Sequence, residues 1–459
     1  MSFVDPVFVV FLLVVALSCR VVPRARQQNL ILLVASFVFY GWRQPACVVL
    51  LGASVLVDWW AALRLGSKAG RAPLYVSLGL NLGLLASFKY ADFFVATVDQ
   101  ASVALGGPSI DWRPGLPLPA GISFFTFQSM AYTIDVYRGN IRPRESLIDV
   151  GAHIAAFPQL VAGPIERAAD LLPQLERRRV PDADDVSQGV TLLLWGAVQK
   201  IVIADNVGAW VDAVFADESA RPVLVWSAVV GFMVQIMGDF AGYTDMARGA
   251  ARLLGLRLSS NFDRPFLAAS PSEFWRRWHQ TFSRWMHDYV YIPLGGSKRG
   301  RTRAVVAASV SLVLAGLWHG AAWHFVAWGG WFAMVWVVWR AVAAHIPLVV
   351  REKGRPVGIC LNLVVVAVGM LLFREPELLR SAEVLGQLPW SGGLADRVLA
   401  SSVLGVAVVG GAFLAVGGAM MRRVHDVPGW ARGVFWAVAS GLVLVMRSDV
   451  ERDFVYFQF

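Results

Sequence analysis

Apolar runs recur along nearly the whole chain, each bounded by basic or turn-forming residues. Their cores span roughly 13–19 residues and, with flanks, approach the ~20 that cross a hydrocarbon layer of about 30 Å as a helix. The clearest are residues 7–19, 30–42, 48–63, 74–88, 190–204, 222–237, 357–373, 403–421 and 434–446. Residues 120–136, 148–161 and 304–339 are less regular. The pattern predicts an all-α, polytopic transmembrane helical bundle with about ten to twelve membrane segments. No stretch of soluble composition is long enough for a second domain, so a single integral membrane domain over residues 1–459 is expected.

Composition agrees: 57% of the residues are hydrophobic, far above a soluble domain. The first run has no basic segment before it and no small-residue cleavage pattern after it, so it reads as a membrane segment, not a removed signal peptide. Cys19, Cys47 and Cys360 have no disulfide or metal spacing and read as small core residues.

The net charge of +9 does not imply nucleic acid, because of how it is distributed. Basic residues gather in short connections, at Arg20/Arg24/Arg26, Arg64/Lys68/Arg71, Arg138/Arg142/Arg144, Arg177–Arg179 and Lys298/Arg299/Arg301/Arg303. That is the positive-inside pattern of a polytopic membrane protein. It places the N-terminus outside the cytoplasm and residues 273–303 on the cytoplasmic face.

The run 304–339 has basic residues on both flanks, so the chain should enter and leave on one face. About 36 residues barely suffice for two crossings at ~1.5 Å rise per residue. Two short helices broken near Gly316–Gly320 are therefore expected, with a single long tilted helix as the competing arrangement. Broken backbone at that depth survives only inside protein or beside a water-filled cavity. Before it, Ser270-Pro271-Ser272-Glu273 reads as a helix start with a capping box. The aromatic and basic residues from Phe274 to Tyr291 suggest one amphipathic interfacial helix.

Two pieces stand out chemically: Phe274-Trp-Arg-Arg-Trp-His279 and Gly316-Leu-Trp-His-Gly320. Each sets a histidine among tryptophans. A titratable ring at membrane depth is costly and marks a functional site by default, and imidazole moves protons near neutral pH. A core histidine satisfied by a backbone carbonyl is the bland alternative for His319, and an interfacial anchor for His279. His324 falls about 140° around an ideal helix from His319, so the two should not share a face. His153, His287, His324, His345 and His425 read as structural, and no pair has metal-site spacing. Asp239, Tyr243 and Asp245 follow an apolar run. Pairing of these carboxylates with arginines of the 275–284 segment is one reading, substrate positioning the other. Lys200 with Asp205 reads as an interfacial pair, and Pro158 with Gly163-Pro164 as helix breakers. There is no nucleotide loop, dinucleotide fingerprint or nucleophile elbow.

The run Pro271-Ser-Glu-Phe-Trp-Arg-Arg-Trp-His279, then Asp288-Tyr-Val-Tyr-Ile-Pro-Leu-Gly-Gly-Ser297, then Gly316-Leu-Trp-His-Gly-Ala-Ala-Trp323, resembles the membrane-bound O-acyltransferase family. It is most similar to the bacterial branch with the alginate O-acetyltransferase membrane subunit and the teichoic-acid D-alanylation membrane protein. Gly121-Ile-Ser-Phe-Phe-Thr-Phe-Gln128, Phe157-Pro-Gln-Leu-Val-Ala-Gly-Pro-Ile165, Asp239-Phe-Ala-Gly-Tyr-Thr-Asp-Met246, Asn261-Phe262 and the terminal Phe454-Val-Tyr-Phe-Gln-Phe459 fit the same branch in the same order. Ala241 and Thr281-Phe282 depart from its usual residues, and neither touches a histidine.

The resemblance implies a bundle with broken or re-entrant helices around a central tunnel, and acyl transfer between the two sides of the bacterial inner membrane. It assigns His319 as the active-site histidine and His279 as the second; beside them, Trp278, Trp318, Asp239 and Tyr243 are candidate substrate-binding residues. It implies no bound cofactor or metal. The donor is an acyl thioester such as acetyl-CoA, and the acceptor is a polysaccharide hydroxyl. An extracytoplasmic acyltransferase partner, membrane lipid and no nucleic acid complete the expected partners. D-alanyl or another acyl group, or acylation of a different acceptor, is open. A transporter would need two matching halves with interrupted segments, which the chain does not show. A catalytically silent scaffold of an envelope polymer complex is the third class.

Overall fold

The computed structural model describes residues 1–67, 70–342, 354–387, 389–421, 427–447 and 454–455. His345, His425 and most of the terminal 454–459 run lie outside the described residues. Within them the chain is all-helical, with no strand. Eight helices are long and apolar enough to cross a membrane: Cys47–Gly66, Ala183–Ala216, Pro222–Leu253, Arg301–His319, Trp323–Val342, Arg355–Arg374, Leu394–Gly418 and Gly429–Met446. Other apolar runs fold as helices of 14–17 residues: Pro6–Val21, Ala25–Gly41, Ala72–Leu85 and Ile122–Tyr137. The run 148–161 is no span. It breaks into a nine-residue helix and a four-residue one, as its prolines and Gly163 suggest.

The chain forms two compact units, Met1–Val190 with Met246–Ser259, and Thr191–Asp245 with Ser260–Phe459. The first contains α1 (Pro6–Val21), α2 (Ala25–Gly41), α3 (Cys47–Gly66), α4 (Ala72–Leu85), α5 (Ala91–Ala104), α6 (Ile122–Tyr137), α7 (Leu147–Ala155), α8 (Phe157–Leu160) and α9 (Ala168–Leu175). A π-helical turn, Ala86–Tyr90, joins α4 to α5.

The interior of this unit holds a polar cluster that the apolar pattern conceals. Ser54 and Asp58 on α3, Ser77 and Asn81 on α4, and Ser129 and Thr133 on α6 are each spaced by four. Each helix therefore turns two polar groups to one face, and all six are fully buried. Asp58 accepts from Ser77 Oγ, from Thr133 Oγ1 at 3.1 Å and from Asn81 Nδ2 at 3.0 and 3.2 Å. Ser54 Oγ reaches Asn81 Oδ1 at 2.7 Å and Ser129 Oγ at 3.1 Å. Such a network fixes the register of three helices, because each slipped arrangement strands a buried polar group.

Glu166, outside the spans, is buried and accepts the Ser259 backbone N–H and, at 3.1 Å, the Ser259 hydroxyl. Burial outweighs these bonds and raises its carboxyl to about 6 from an ordinary 4.5. A group raised on folding stabilises fully below its unfolded value and loses that contribution as pH climbs through the folded one. Stability should therefore fall by about 2 kcal/mol between pH ~4.5 and pH ~6.5, at ~1.36 kcal/mol per unit. Thermal unfolding of Glu166→Gln across that range should lose this slope. An unchanged slope would remove Glu166 as its source.

The second unit begins within α10 (Ala183–Ala197), which passes through a π-helical stretch, Val198–Ala204, into α11 (Asp205–Ala216). It continues with α12 (Pro222–Leu253), α13 (Pro271–Arg277), α14 (Gln280–Met286), α15 (Arg301–His319), α16 (Trp323–Val342), α17 (Arg355–Arg374), α18 (Leu378–Gly386), α19 (Leu394–Met421) and α20 (Gly429–Met446). Two expectations change here. First, α15 and α16 break at Gly320–Ala322, which excludes the single long helix. They are full-length helices of 19 and 20 residues, however, because each extends beyond the apolar run used to bound it. Second, residues 274–291 are not one interfacial helix. The chain breaks between α13 and α14, and Phe274, Trp278, Phe282 and Trp285 are all buried in protein.

Close packing of α15 on α16 rests on glycine. A Cβ on Gly316 would lie 2.1 Å from the Phe325 carbonyl oxygen, and one on Gly329 2.5 Å from that of Leu312. At Gly320 the obstacle is the Phe325 ring, 2.0 Å away. The helices can approach this closely only without side chains there.

Candidate active site in the second unit

His279 sits at the break between α13 and α14 with φ 40° and ψ 57°, a left-handed conformation that costs a non-glycine residue energy. The strip Asn261–Asp263 holds it there. Asn261 O accepts Gln280 N at 2.9 Å, and Asp263 N donates to Arg277 O at 3.0 Å. The Asn261 amide oxygen accepts Thr281 N at 3.3 Å and Thr281 Oγ1 at 2.7 Å, and lies 3.4 Å from His279 Nδ1. An amide oxygen can only accept, so in this contact His279 Nδ1 carries the proton and donates. The lone pair of the neutral ring is then on Nε2. Burial drives the ring's pKa down to about 3, so it is neutral at physiological pH.

The helix start before it follows the expected signature in part. Ser270 Oγ accepts Glu273 N at 3.2 Å, and Pro271 occupies the first position. The Glu273 carboxylate reaches back one residue further, to Ala269 N at 2.7 Å. It also holds Arg277 at 2.7 Å and Arg355 at 2.9 Å.

His319 is the last residue of α15, where the helix stops at Gly320. Its ring meets Trp328 and Phe373 edge-on at centroid distances of 5.1 and 5.2 Å. The two histidines converge on shared rings. Phe282 lies 5.0 Å from His279 and 5.8 Å from His319, and Trp318 lies 5.9 and 5.0 Å from them. Phe282 and Trp318 themselves are 4.3 Å apart. Both histidines are buried, His279 fully.

Trp278 and Trp318 thus lie in the wall of the cluster, Trp278 against Phe262 at 5.1 Å and Phe274 at 5.6 Å. Asp239 and Tyr243 approach it through Phe240, whose ring meets His279 edge-on at 4.7 Å. Asp239 pairs with Lys200 at 2.7 Å and accepts Val455 N at 2.6 Å, so its partner is a lysine rather than an arginine of the 275–284 segment. Lys200 also reaches Asp205 at 2.9 Å, and it is a buried bridge instead of an interfacial pair. Phe454 packs on Phe240 at 5.6 Å and on Tyr243 at 5.0 Å. His324 Nδ1 lies 3.2 Å from the Leu372 carbonyl.

Sequence reading did not single out Asn261 as a site residue, nor Trp328 and Phe373. Among the described residues, Trp328 Nε1 is buried without an acceptor. No group of three or more His, Cys, Asp or Glu there could hold a metal.

The chain matches the model of MBOAT, the membrane-bound O-acyltransferase family, over residues 121–372. More than half of the chain is covered. It belongs to the membrane-bound O-acyltransferases. It is 34% identical to the probable alginate O-acetylase AlgI of Pseudomonas putida over 394 residues, 84% of this chain and 80% of the relative. It is 31% identical to the peptidoglycan O-acetyltransferase of Helicobacter pylori, over 65% of this chain and 62% of that one. It is 27% identical to the teichoic acid D-alanyltransferase of Streptococcus thermophilus, over 48% of this chain and 57% of that one. This O-acyltransferase is a multi-pass membrane protein. The family match spans 121–372 and so includes both histidines and Asn261.

Asn261→Ala would leave the Thr281 N–H and hydroxyl and the His279 Nδ1–H without their acceptor, at a cost of about 1–3 kcal/mol. The expected result is a lower single-turnover acyl-transfer rate with little change in donor affinity. Unchanged transfer would mean His279 is positioned by its own backbone.

Proposed function

We propose that this enzyme moves an acetyl group from a cytoplasmic thioester, acetyl-CoA or an equivalent donor, across the membrane toward hydroxyls of an extracytoplasmic polysaccharide. The observation that carries this reading is the convergence of His319 and His279 on the shared Phe282 and Trp318 rings. Two imidazoles in a largely aromatic, buried cluster suit acyl transfer, which separates no net charge overall but passes through an oxyanion. The hydroxyl oxygen forms a bond to the acyl carbon as His319 takes its proton. The carbon–sulfur bond then breaks, and the same proton goes to the leaving thiolate. His279, neutral and held through Asn261, orients the donor or acceptor beside His319. Trp328, whose ring lies 5.1 Å from that of His319 and whose buried N–H has no acceptor among the described residues, is the candidate donor to the developing oxyanion.

The enzyme is read as one of the bacterial inner membrane. An extracytoplasmic acyltransferase completes delivery to the polysaccharide. Acetyl is preferred because the probable alginate O-acetylase matches over most of the chain, whereas the D-alanyltransferase matches over about half. Purified enzyme in liposomes, given acetyl-CoA carrying a labelled acetyl group, should consume the thioester only when the extracytoplasmic acyltransferase and an acceptor glycan are both supplied. D-alanyl thioester used in preference to acetyl would overturn the choice of acyl group.

A further inference from the structure

The end of α1, the start of α2 and the segment after α9 form a basic face on the first unit, and buried side chains hold it in shape. Gln28, fully buried, donates Nε2 to the carbonyls of Cys19 at 2.8 Å and Arg179 at 2.7 Å. Its amide oxygen accepts the Arg179 N–H at 2.8 Å. Asn29 donates to the Leu175 carbonyl at 2.8 Å and to Asp149 at 2.7 Å, and accepts Arg179 Nη1 at 2.7 Å. These bonds staple two segments 151 residues apart in the chain.

The staple presets a group of exposed arginines. Arg20 Nη1 reaches the Pro181 carbonyl at 3.4 Å, and Arg178 reaches the carbonyls of Val22 and Arg20 at 3.3 and 3.5 Å. Arg24 and Arg26 open α2 beside them, and Arg177 precedes Arg178. Among the described residues, none of these five is paired with a carboxylate. Acids in the same segments are engaged elsewhere, Glu176 with Arg144, Asp149 with Asn29, and Asp182 with the Asp185 N–H at 2.7 Å. Five permanent cations keep most of their N–H donors pointed outward.

What lies next to them decides the ligand. The last turns of α1 expose Leu17 and Val21, 65% and 80% accessible, three residues before and one residue after Arg20 in the chain. A soluble phosphate would meet only the arginines. An amphiphile with a phosphate head and an acyl chain would meet both, and guanidinium matches phosphate oxygens in pairs. We propose that Arg20, Arg24, Arg26, Arg177 and Arg178 form a binding site for the headgroup of an anionic phospholipid, with its acyl chain along α1.

The test uses full-length protein in vesicles of phosphatidylglycerol and phosphatidylcholine at a 1:1 ratio. Spin-labelled phosphatidylglycerol and spin-labelled phosphatidylcholine report which lipid is held at the protein. Wild type should prefer phosphatidylglycerol severalfold, and the preference should shrink at high salt. The variant Arg20→Gln/Arg24→Gln/Arg177→Gln/Arg178→Gln should lose at least about tenfold in phosphatidylglycerol affinity, since each juxtamembrane arginine contributes a several-fold factor. Arg71→Gln/Arg142→Gln, which removes charge elsewhere, should keep the preference. Thermal unfolding followed by circular dichroism checks that both variants fold. If the quadruple variant misfolds, the Arg24→Gln/Arg177→Gln pair, which breaks no bond described above, takes its place. Retained preference in a folded patch variant overturns the proposal. So does displacement of the labelled lipid by coenzyme A, which would make the patch a site for soluble phosphate.

Discussion

His319→Ala is expected to lower acyl transfer by ~10²–10⁴-fold, the range for removing a positioned general acid–base. Fold and membrane insertion should be nearly intact. The ring packs against Phe282, Trp318, Trp328 and Phe373, so truncation also opens a cavity. His319→Gln separates the two effects. It restores most of the volume and one hydrogen-bonding group but cannot shuttle a proton. If catalysis is the role of His319, both variants lose activity alike while only alanine loses stability. If the role is packing, glutamine recovers much of the rate. Single-turnover transfer and thermal unfolding, measured on the same preparations, distinguish the outcomes.

The second large effect is structural. Gly316→Ala places a methyl 2.1 Å from the Phe325 carbonyl oxygen, a backbone atom with no rotamer to escape into. Helices α15 and α16 must separate, at a cost of about 1–3 kcal/mol or more. Because His319 lies one turn after Gly316 and Trp328 one residue before Gly329, separation also spreads the rings around the histidine. A fall in melting temperature and in activity is expected together. Gly330→Ala is the control, since a Cβ there meets nothing within 4 Å. Equal behaviour of the two variants would remove close packing as the reason for glycine at position 316.

The helical architecture was legible because a membrane demands long apolar helices, and eight of them meet that demand by length and composition. The break after His319 was legible too, from basic residues on both flanks and glycine at 316 and 320. Element ends were less so. A helix continues into polar residues such as Arg301–Arg303, which an apolar window discards. Trp275 and Trp278 beside arginines resemble an interfacial belt in one dimension. Only the left-handed turn at His279 reveals that this segment folds into protein. Asn261 acts through contacts 18 and 20 residues away in sequence, beyond any local pattern. The Asp58 cluster escaped for another reason. Its polar residues are singly diluted in apolar helices, and their common spacing of four gains meaning only when three helices meet.

The central claim is O-acylation of an envelope glycan through His319, and mass spectrometry of ester-linked acyl groups on the cell's surface glycans tests it most directly. Wild type, a deletion strain, and the deletion complemented with His319→Ala at matched expression are compared. One acyl ester, expected to be acetate, should be absent from both mutants and restored by the wild-type gene. An ester lost on deletion but restored by His319→Ala would contradict the assignment of His319 as the base, and glycans unchanged in every strain would contradict the glycan acceptor itself.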